Sequence, residues 1–557
     1  MRRIAAVFVA VLLIGARSSS PPRLETIPIP GPSKFQKVAR DVLDVAWTMD
    51  PSGAANAGLM DDAIAVPSYS PKSIQSLTAR LDRDLETLRS LDSQSWGEAE
   101  RIDLRWIYTT AETLRHVLVT ERMYEHRPAQ WLEPVAGVLI ALASYAPDRP
   151  ALQDQVLAKV PAMLAEMREV ATKPTRRDLD TAIELVDALT ATARARKATA
   201  AADALVAYGV ELRGLKPETE FQVVGAESYA WRLKHALLLP WTPQELLASA
   251  EADLAIVDAR LAALPPEQPL PPPTEAQLTI ARNLTRETQL GLFDTLEEQL
   301  REATIRGGWV TIPDGVGPLR ARETPDAMIP LTGDGGSMNP PPTYATSNVG
   351  WWNVDHFHAD APEAERIERV VNAQNFTMSR MGPYAAHEGF PGHHMQLAIA
   401  RLIPDPLRSI VSDLVQNEGW GLYAEEALLV HGGFGDSVEA ERWILRSYRH
   451  RIRRVIFDVK IETGVWTLQQ AADFKFDAAP GQGKIDEDIL RSINWPTQLI
   501  CYYAGKKQIV ALREEYKGQM GSAYTDRDFH DRFLAEGSIP IALIRAVMLD
   551  EKVPPLE

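Results

Sequence analysis

One cysteine, Cys501, serves the whole 557-residue chain. That scarcity excludes an intramolecular disulfide and any zinc cluster built from cysteines. Stability must then come from core packing, and a 45% hydrophobic content is enough for a large core. The thiol lies in "LICYYAG", an apolar and aromatic setting that marks it as buried rather than nucleophilic.

Positive charge is also scarce. Against 75 Asp and Glu there are 59 Lys and Arg, a net charge of -16, and no long basic run appears. Nucleic acid and anionic lipid both need clustered positive charge, so neither is an expected partner. The apolar run at the N-terminus falls short of a membrane span. "MRRIAAVFVAVLLIGARSSSPP" places Arg2 and Arg3 before a run from Ile4 to Ala16, the layout of a secretory signal peptide. "LLIGA" would precede the lipid-bearing cysteine of a lipoprotein, but Arg17 stands there. The expectation is a signal peptide over 1–16, export to the periplasm or medium, and no stable membrane anchor. The alternative is an uncleaved N-terminal anchor.

Residues 17–34 read as a proline-rich lead-in, and from Phe35 onward the pattern is helical almost throughout. "SIQSLTARLDRDLETLRSL" spaces Ile74, Leu77, Leu81, Leu85 and Leu88 by three or four residues, as an amphipathic helix requires. Similar segments recur on both sides of a proline connector, "LPPEQPLPPPT" (264–274), and of a Gly- and Pro-rich stretch at 333–354. Within that stretch "SNVGWWNV" is the best strand candidate. No fixed-period repeat is evident. The reading is a mostly all-α chain with a few short strands, in two helical halves, 35–307 and 308–557, forming one integrated unit.

Of eleven histidines, three fall with a glutamate in "HEGFPGHH", residues 387–394. A catalytic zinc is usually held by three protein ligands, with the fourth position open to water and a carboxylate nearby to take the water's proton. The zinc spacing HExxH would need a histidine at position 391, which is Pro391. Proline interferes with the preceding turn and Gly392 permits unusual dihedrals, so "FPG" predicts a bulge. A bulge absorbing about two residues returns His387 and His393 to a one-turn relation. Without it, His387 and His394 share a face but lie roughly 10 Å apart along the axis. Both alternatives remain open, with His393 favoured. The third ligand is expected in "NEGWGLYAEEALL" (417–429), where Glu418 lies on a helix following the "IPDP" turn. Glu425, seven residues on, could support a ligand from behind. Asp355, His356 and His358 in "DHFH" offer a rival cluster.

"AAHEGFPGHHMQ", "NEGWGLYAEE" and "WPTQLICYYAGKKQIVALREEY…DRDFHDRFLAEGSIPIALI" resemble, in order, the signature blocks of the bacterial family known as domain of unknown function 885. That family is similar to helical zinc metallopeptidases of the gluzincin type, including carboxypeptidases with a deep helical cleft. The resemblance spans roughly 35–550. It implies a large helical, metallopeptidase-like body with a deep central cleft, and one Zn2+ held by His387, His393 and Glu418. It further implies Glu388 as general base, and Tyr503 and His530 reaching the cleft to stabilise an oxyanion. Arg513 would bind a substrate carboxylate, and His394, where it is not a ligand, would lie on the substrate side. Glu462 stands where family members often carry a histidine. "SNVGWWNV" would fit a substrate edge that pairs with an extended peptide.

The expected function is therefore an exported zinc metallopeptidase acting on short peptides. A metal-dependent esterase or amidase, or a non-catalytic metal-containing binding protein, are the alternatives. Neither the oligomeric state nor the choice between exo- and endo-cleavage is legible in the sequence.

Overall fold

Helices form where the apolar spacing foretells them, and local capping sets their ends. Helix Pro71–Arg89 starts on Ser70, whose hydroxyl accepts from the Ser73 amide, and it buries Leu77, Leu81, Leu85 and Leu88. The computed structural model describes residues 23–217 and 219–557. The expected signal peptide at 1–16 and the start of the lead-in lie outside the described residues. The rest of the lead-in is not a free connector. Leu24, Ile27 and Ile29 are buried in the first core, and Arg40 donates to the Ile27 carbonyl.

The fold is mostly all-α with three short strands. Two large apolar cores organise it. The first is built from residues 24–212 with Leu407, and the second from Ile102, Trp106 and residues 229–548. The division between helical halves thus falls between 212 and 229 instead of at 307. Helices Pro243–Ala263 and Arg286–Gly307 bury Leu246, Val257, Leu296 and Leu300 in the second core. Helix Glu98–His116 contributes Leu104 and Ile107 to the first core and Ile102 and Trp106 to the second. Trp106 also donates to the Val411 carbonyl, and buried Asp103 pairs with Arg408 at 2.9 Å. These links make the halves one body.

The strands are β1 (Leu319–Glu323), β2 (Ser337–Asn339) and β3 (Gly350–Val354), in the order β1-β3-β2. The predicted strand is β3, but it is central: β1 pairs with it in parallel and β2 antiparallel. Its ladder groups are committed on both sides, so it offers no edge to an extended peptide. Among the described residues no helix is long and apolar enough to cross a membrane.

Candidate metal centre

The expected break in the histidine segment is present. Helix Met381–Glu388 stops at Glu388, residues 389–392 turn the chain, and helix His393–Ala400 begins at once. Gly392 makes the turn possible, since a Cβ there would sit 2.0 Å from the His387 carbonyl oxygen and 2.4 Å from that of Ala386. Trp420 donates from Nε1 to the Pro391 carbonyl at 2.9 Å, fixing the turn against the next helix. That helix, Leu414–Val430, is capped by Asp413, which accepts from the Gln416 amide, and it carries Glu418. Gly421, almost one turn beyond Glu418, leaves room for the imidazoles. A Cβ there would lie 2.8 Å from Cε1 of both His387 and His393.

The three expected ligand atoms converge. His387 Nε2 and His393 Nε2 are 3.1 Å apart, and Glu418 Oε2 lies 3.3 Å from His393 Nε2 and 3.6 Å from His387 Nε2. Among the described residues this is the one cluster of His, Cys, Asp or Glu with metal-ligand spacing. A tetrahedral zinc with bonds of about 2.0–2.1 Å separates its ligand atoms by roughly 3.3–3.4 Å, so the donor set fits that ion. Behind it, His387 Nδ1 lies 2.8 Å from Glu425 Oε1. An ionised carboxylate only accepts, so Nδ1 carries the hydrogen and Nε2 turns its lone pair to the centre.

The electrostatics agree. Burial disfavours an imidazolium at His387, but hydrogen bonds to Glu418 and Glu425 outweigh it and raise the ring to about 10. Burial likewise penalises the Glu418 carboxylate, yet hydrogen bonds to His387 and His393 hold it well below the usual carboxylate range. Both shifts express a pocket with an excess of acidic groups, balanced for a cation.

A cavity of about 330 Å³ adjoins the cluster, lined among others by Tyr384, His387, Glu388, Glu425 and Arg451. It shares Arg380, Tyr384 and Trp443 with a larger cavity of about 760 Å³, which runs along the proline connector at Glu267–Leu270. Tyr384 lies one turn before Glu388 and donates to the Gly336 carbonyl at 3.2 Å. Glu388 lines the same cavity beside His387, the kind of position a general base requires.

Other expected site residues lie elsewhere. His394 is fully buried with its back to the cluster: Nε2 donates to the Gly317 carbonyl at 2.9 Å, and burial lowers the ring to about 4. It is neither a ligand nor a substrate contact, because the turn points consecutive histidines to opposite sides. Tyr503 also faces away, with its hydroxyl 2.8 Å from Ser249 Oγ and from Asp253 Oδ2. Its neighbour Tyr502 packs toward the centre, 6.3 Å from the His387 ring. His530 is a core residue, bonded to Tyr423 Oη at 2.7 Å and to the Trp309 carbonyl at 2.9 Å. Arg513 is held by Asp526 at 2.7 Å, so it does not reach the cavity. The rival cluster does not converge: His356 sits between Asp334 and Asp326, while Asp355 pairs with Arg369. Glu462 is buried and accepts from the Val224 amide.

Sequence reasoning missed Arg451. It lies in "RSYRHRIRR" (446–454), where five arginines in nine residues suggest a solvated face. Its signal was its register with Ile444, Tyr448 and Val455, the apolar stripe of helix Val438–Glu462.

Two solved structures share the fold. A candidate lipoprotein of unknown function from Shewanella oneidensis superposes with a TM-score of 0.70 at 21% identity, covering 92% of this chain and 99% of that one. A candidate lipoprotein from Colwellia psychrerythraea gives 0.72 at 17% identity, covering 93% and 99%. No curated protein matches the chain. Residues 51–548 match the sequence profile described as bacterial protein of unknown function, DUF885, and the chain belongs to that family.

Proposed function

We propose that the protein is an exported, zinc-dependent hydrolase of short peptides. The observation that carries this reading is the convergence of His387, His393 and Glu418 at zinc spacing, with Glu388 lining the adjoining cavity. A zinc ion held by those three residues would activate a water molecule and polarise a scissile carbonyl. Glu388 takes the proton of the attacking water and returns it to the leaving amine. Glu425 keeps His387 in the tautomer that presents Nε2. Three ligands with an adjoining cavity suit a catalytic centre better than a structural one, which closes all four positions. The donor set would also accept cobalt or manganese. Export is supported by the layout of residues 1–16 and by the description of both structural neighbours as candidate lipoproteins.

The test is metal content and peptide cleavage together. Protein purified without chelator is expected to hold about one zinc, lost in His393→Ala and retained in His394→Ala. Cleavage of a mixed peptide library should vanish in Glu388→Gln while zinc remains. Wild-type protein that stays metal-free after zinc is offered would overturn the reading. Metal-loaded protein that ignores peptides but hydrolyses esters would move the substrate class and keep the centre.

A further inference from the structure

Helix Arg286–Gly307 turns Phe293, Leu296, Leu300 and Ala303 into the second core, and the spacing that aligns them puts Glu297 on the same face. An acid thus stands where the pattern calls for an apolar residue. Glu297 is 2% exposed, and neither of its carboxyl oxygens makes a hydrogen bond of good geometry. Asp84, Asp103, Glu112, Glu425 and Glu462 each leave one buried oxygen unpartnered, but among the described acids only Glu297 leaves both. Burial, opposed by the Phe390 N–H and reinforced by the charges of Glu388 and Asp294, pushes this carboxyl well above the usual carboxylate range. It therefore keeps its proton.

The carboxyl lies against the break in the histidine segment. A Cβ on Gly389 would sit 1.9 Å from Glu297 Oε2 and 2.5 Å from Oε1, so the acid fills the space that a side chain at 389 would need. Gly389 directly follows Glu388, and its φ of -104° and ψ of -109° swing the chain out of helix Met381–Glu388. The break leaves the Phe390 N–H without a backbone acceptor, and the Glu297 carboxyl is the acceptor turned toward it. On the far side of the turn, Trp420 holds the Pro391 carbonyl.

An apolar side chain of similar length would fill this place at lower cost, because a buried carboxyl without good partners forgoes the hydrogen bonds it had in water. Stability does not account for Glu297. We propose that Glu297 is a positioning residue, whose carboxyl holds the Gly389–Phe390 turn and so fixes the direction in which Glu388 presents its carboxylate to the cavity. This rests on the hydrolytic reading of His387, His393 and Glu418, with Glu388 as the base. A base must stand within hydrogen-bond reach of the proton it removes, and a displacement of about 1 Å costs on the order of a hundredfold in rate. Glu388 is the last residue of its helix, where the ladder that would restrain it gives way to a turn. A brace on the next peptide removes that freedom. Being neutral, Glu297 supplies the brace without repelling the Glu388 carboxylate.

The experiment compares zinc-loaded wild type with Glu297→Met, Glu297→Gln and Glu297→Asp on a peptide that the wild type cleaves. Glu297→Met should be at least as stable as wild type in denaturant and keep its zinc, with KM within about twofold but kcat down about ten- to a hundredfold. Glu297→Gln keeps the shape and an acceptor oxygen, so its kcat should stay within about threefold of wild type. Glu297→Asp, one methylene short of the turn, should fall between. Hydrogen exchange at the Phe390 amide reads the turn without turnover: it should quicken in Glu297→Met and stay slow in Glu297→Gln. Wild-type kcat in Glu297→Met overturns the proposal. Loss of stability and kcat together, or loss of zinc, also overturns it, since Glu297 would then serve packing or the ligands. Should Glu297→Met fail to fold, Glu297→Asp carries the decision: a lowered kcat with zinc retained supports the proposal, and wild-type kcat overturns it. If wild type cleaves no peptide, the hydrolytic reading fails and exchange decides the rest. Faster exchange in Glu297→Met but not in Glu297→Gln keeps Glu297 as the brace of the turn, and equal rates in all of them remove it.

Discussion

His387 donates from Nδ1 to Glu425 Oε1 across 2.8 Å, and both side chains are buried. The bond fixes the ring's tautomer and makes Nε2 a better donor to a cation. Glu425→Gln keeps an acceptor oxygen at similar reach but removes the charge. Zinc affinity should fall roughly ten- to a hundredfold, measured by competition with a chelating dye. Unchanged affinity would mean that Glu425 does not support the ligand.

Gly421 gives a second, steric handle. The methyl group of Gly421→Ala would meet Cε1 of His387 and of His393 at 2.8 Å, so at least one ring has to move. Overpacking of this kind costs about 1–3 kcal/mol. Zinc stoichiometry should drop while the far-ultraviolet helix signal persists, and a fully loaded variant would show that the rings have slack.

Legibility in the sequence followed the range of the interactions. Helical periodicity is local, so the mostly α fold and the stripe of Leu77, Leu81, Leu85 and Leu88 were readable. The convergence of His387, His393 and Glu418 was readable because Pro391 and Gly392 announce a break and because an acidic helical segment, 417–429, follows at a plausible distance. Which face of a buried helix meets the centre was not. Tyr502 and Tyr503 are adjacent, and only packing decides that the first turns toward His387 while the second turns toward Ser249. His530 and Arg513 misled for a related reason: a polar group in a signature block can serve the core, where Tyr423, Trp309 and Asp526 satisfy it.

Tyr503→Phe separates those roles. The substitution removes the hydroxyl's contacts with Ser249 and Asp253, far side of the helix from the cluster. Stability should fall by about 1 kcal/mol, with kcat/KM on a cleaved peptide within twofold of wild type. A loss of activity of about a hundredfold or more, with zinc retained, would instead place the hydroxyl at the oxyanion.

Acid sensitivity follows from His530. Burial lowers this ring from 6.5 to about 4, so it is neutral in the folded protein, with Nδ1–H donating to the Trp309 carbonyl. An exposed imidazole in the unfolded chain titrates near ~6.5. Between that pH and about 4 the unfolded state binds the extra proton, so the stability contributed by neutral His530 is whole above pH ~6.5 and is lost as pH falls through this window. Its slope is at most about 1.4 kcal/mol per pH unit. Denaturant titrations of chelator-treated wild type and His530→Gln should show it, with the variant less stable at neutral pH but shallower on the acid side. Parallel pH profiles would mean that His530 charges freely in the folded state, and the burial argument would fail with it.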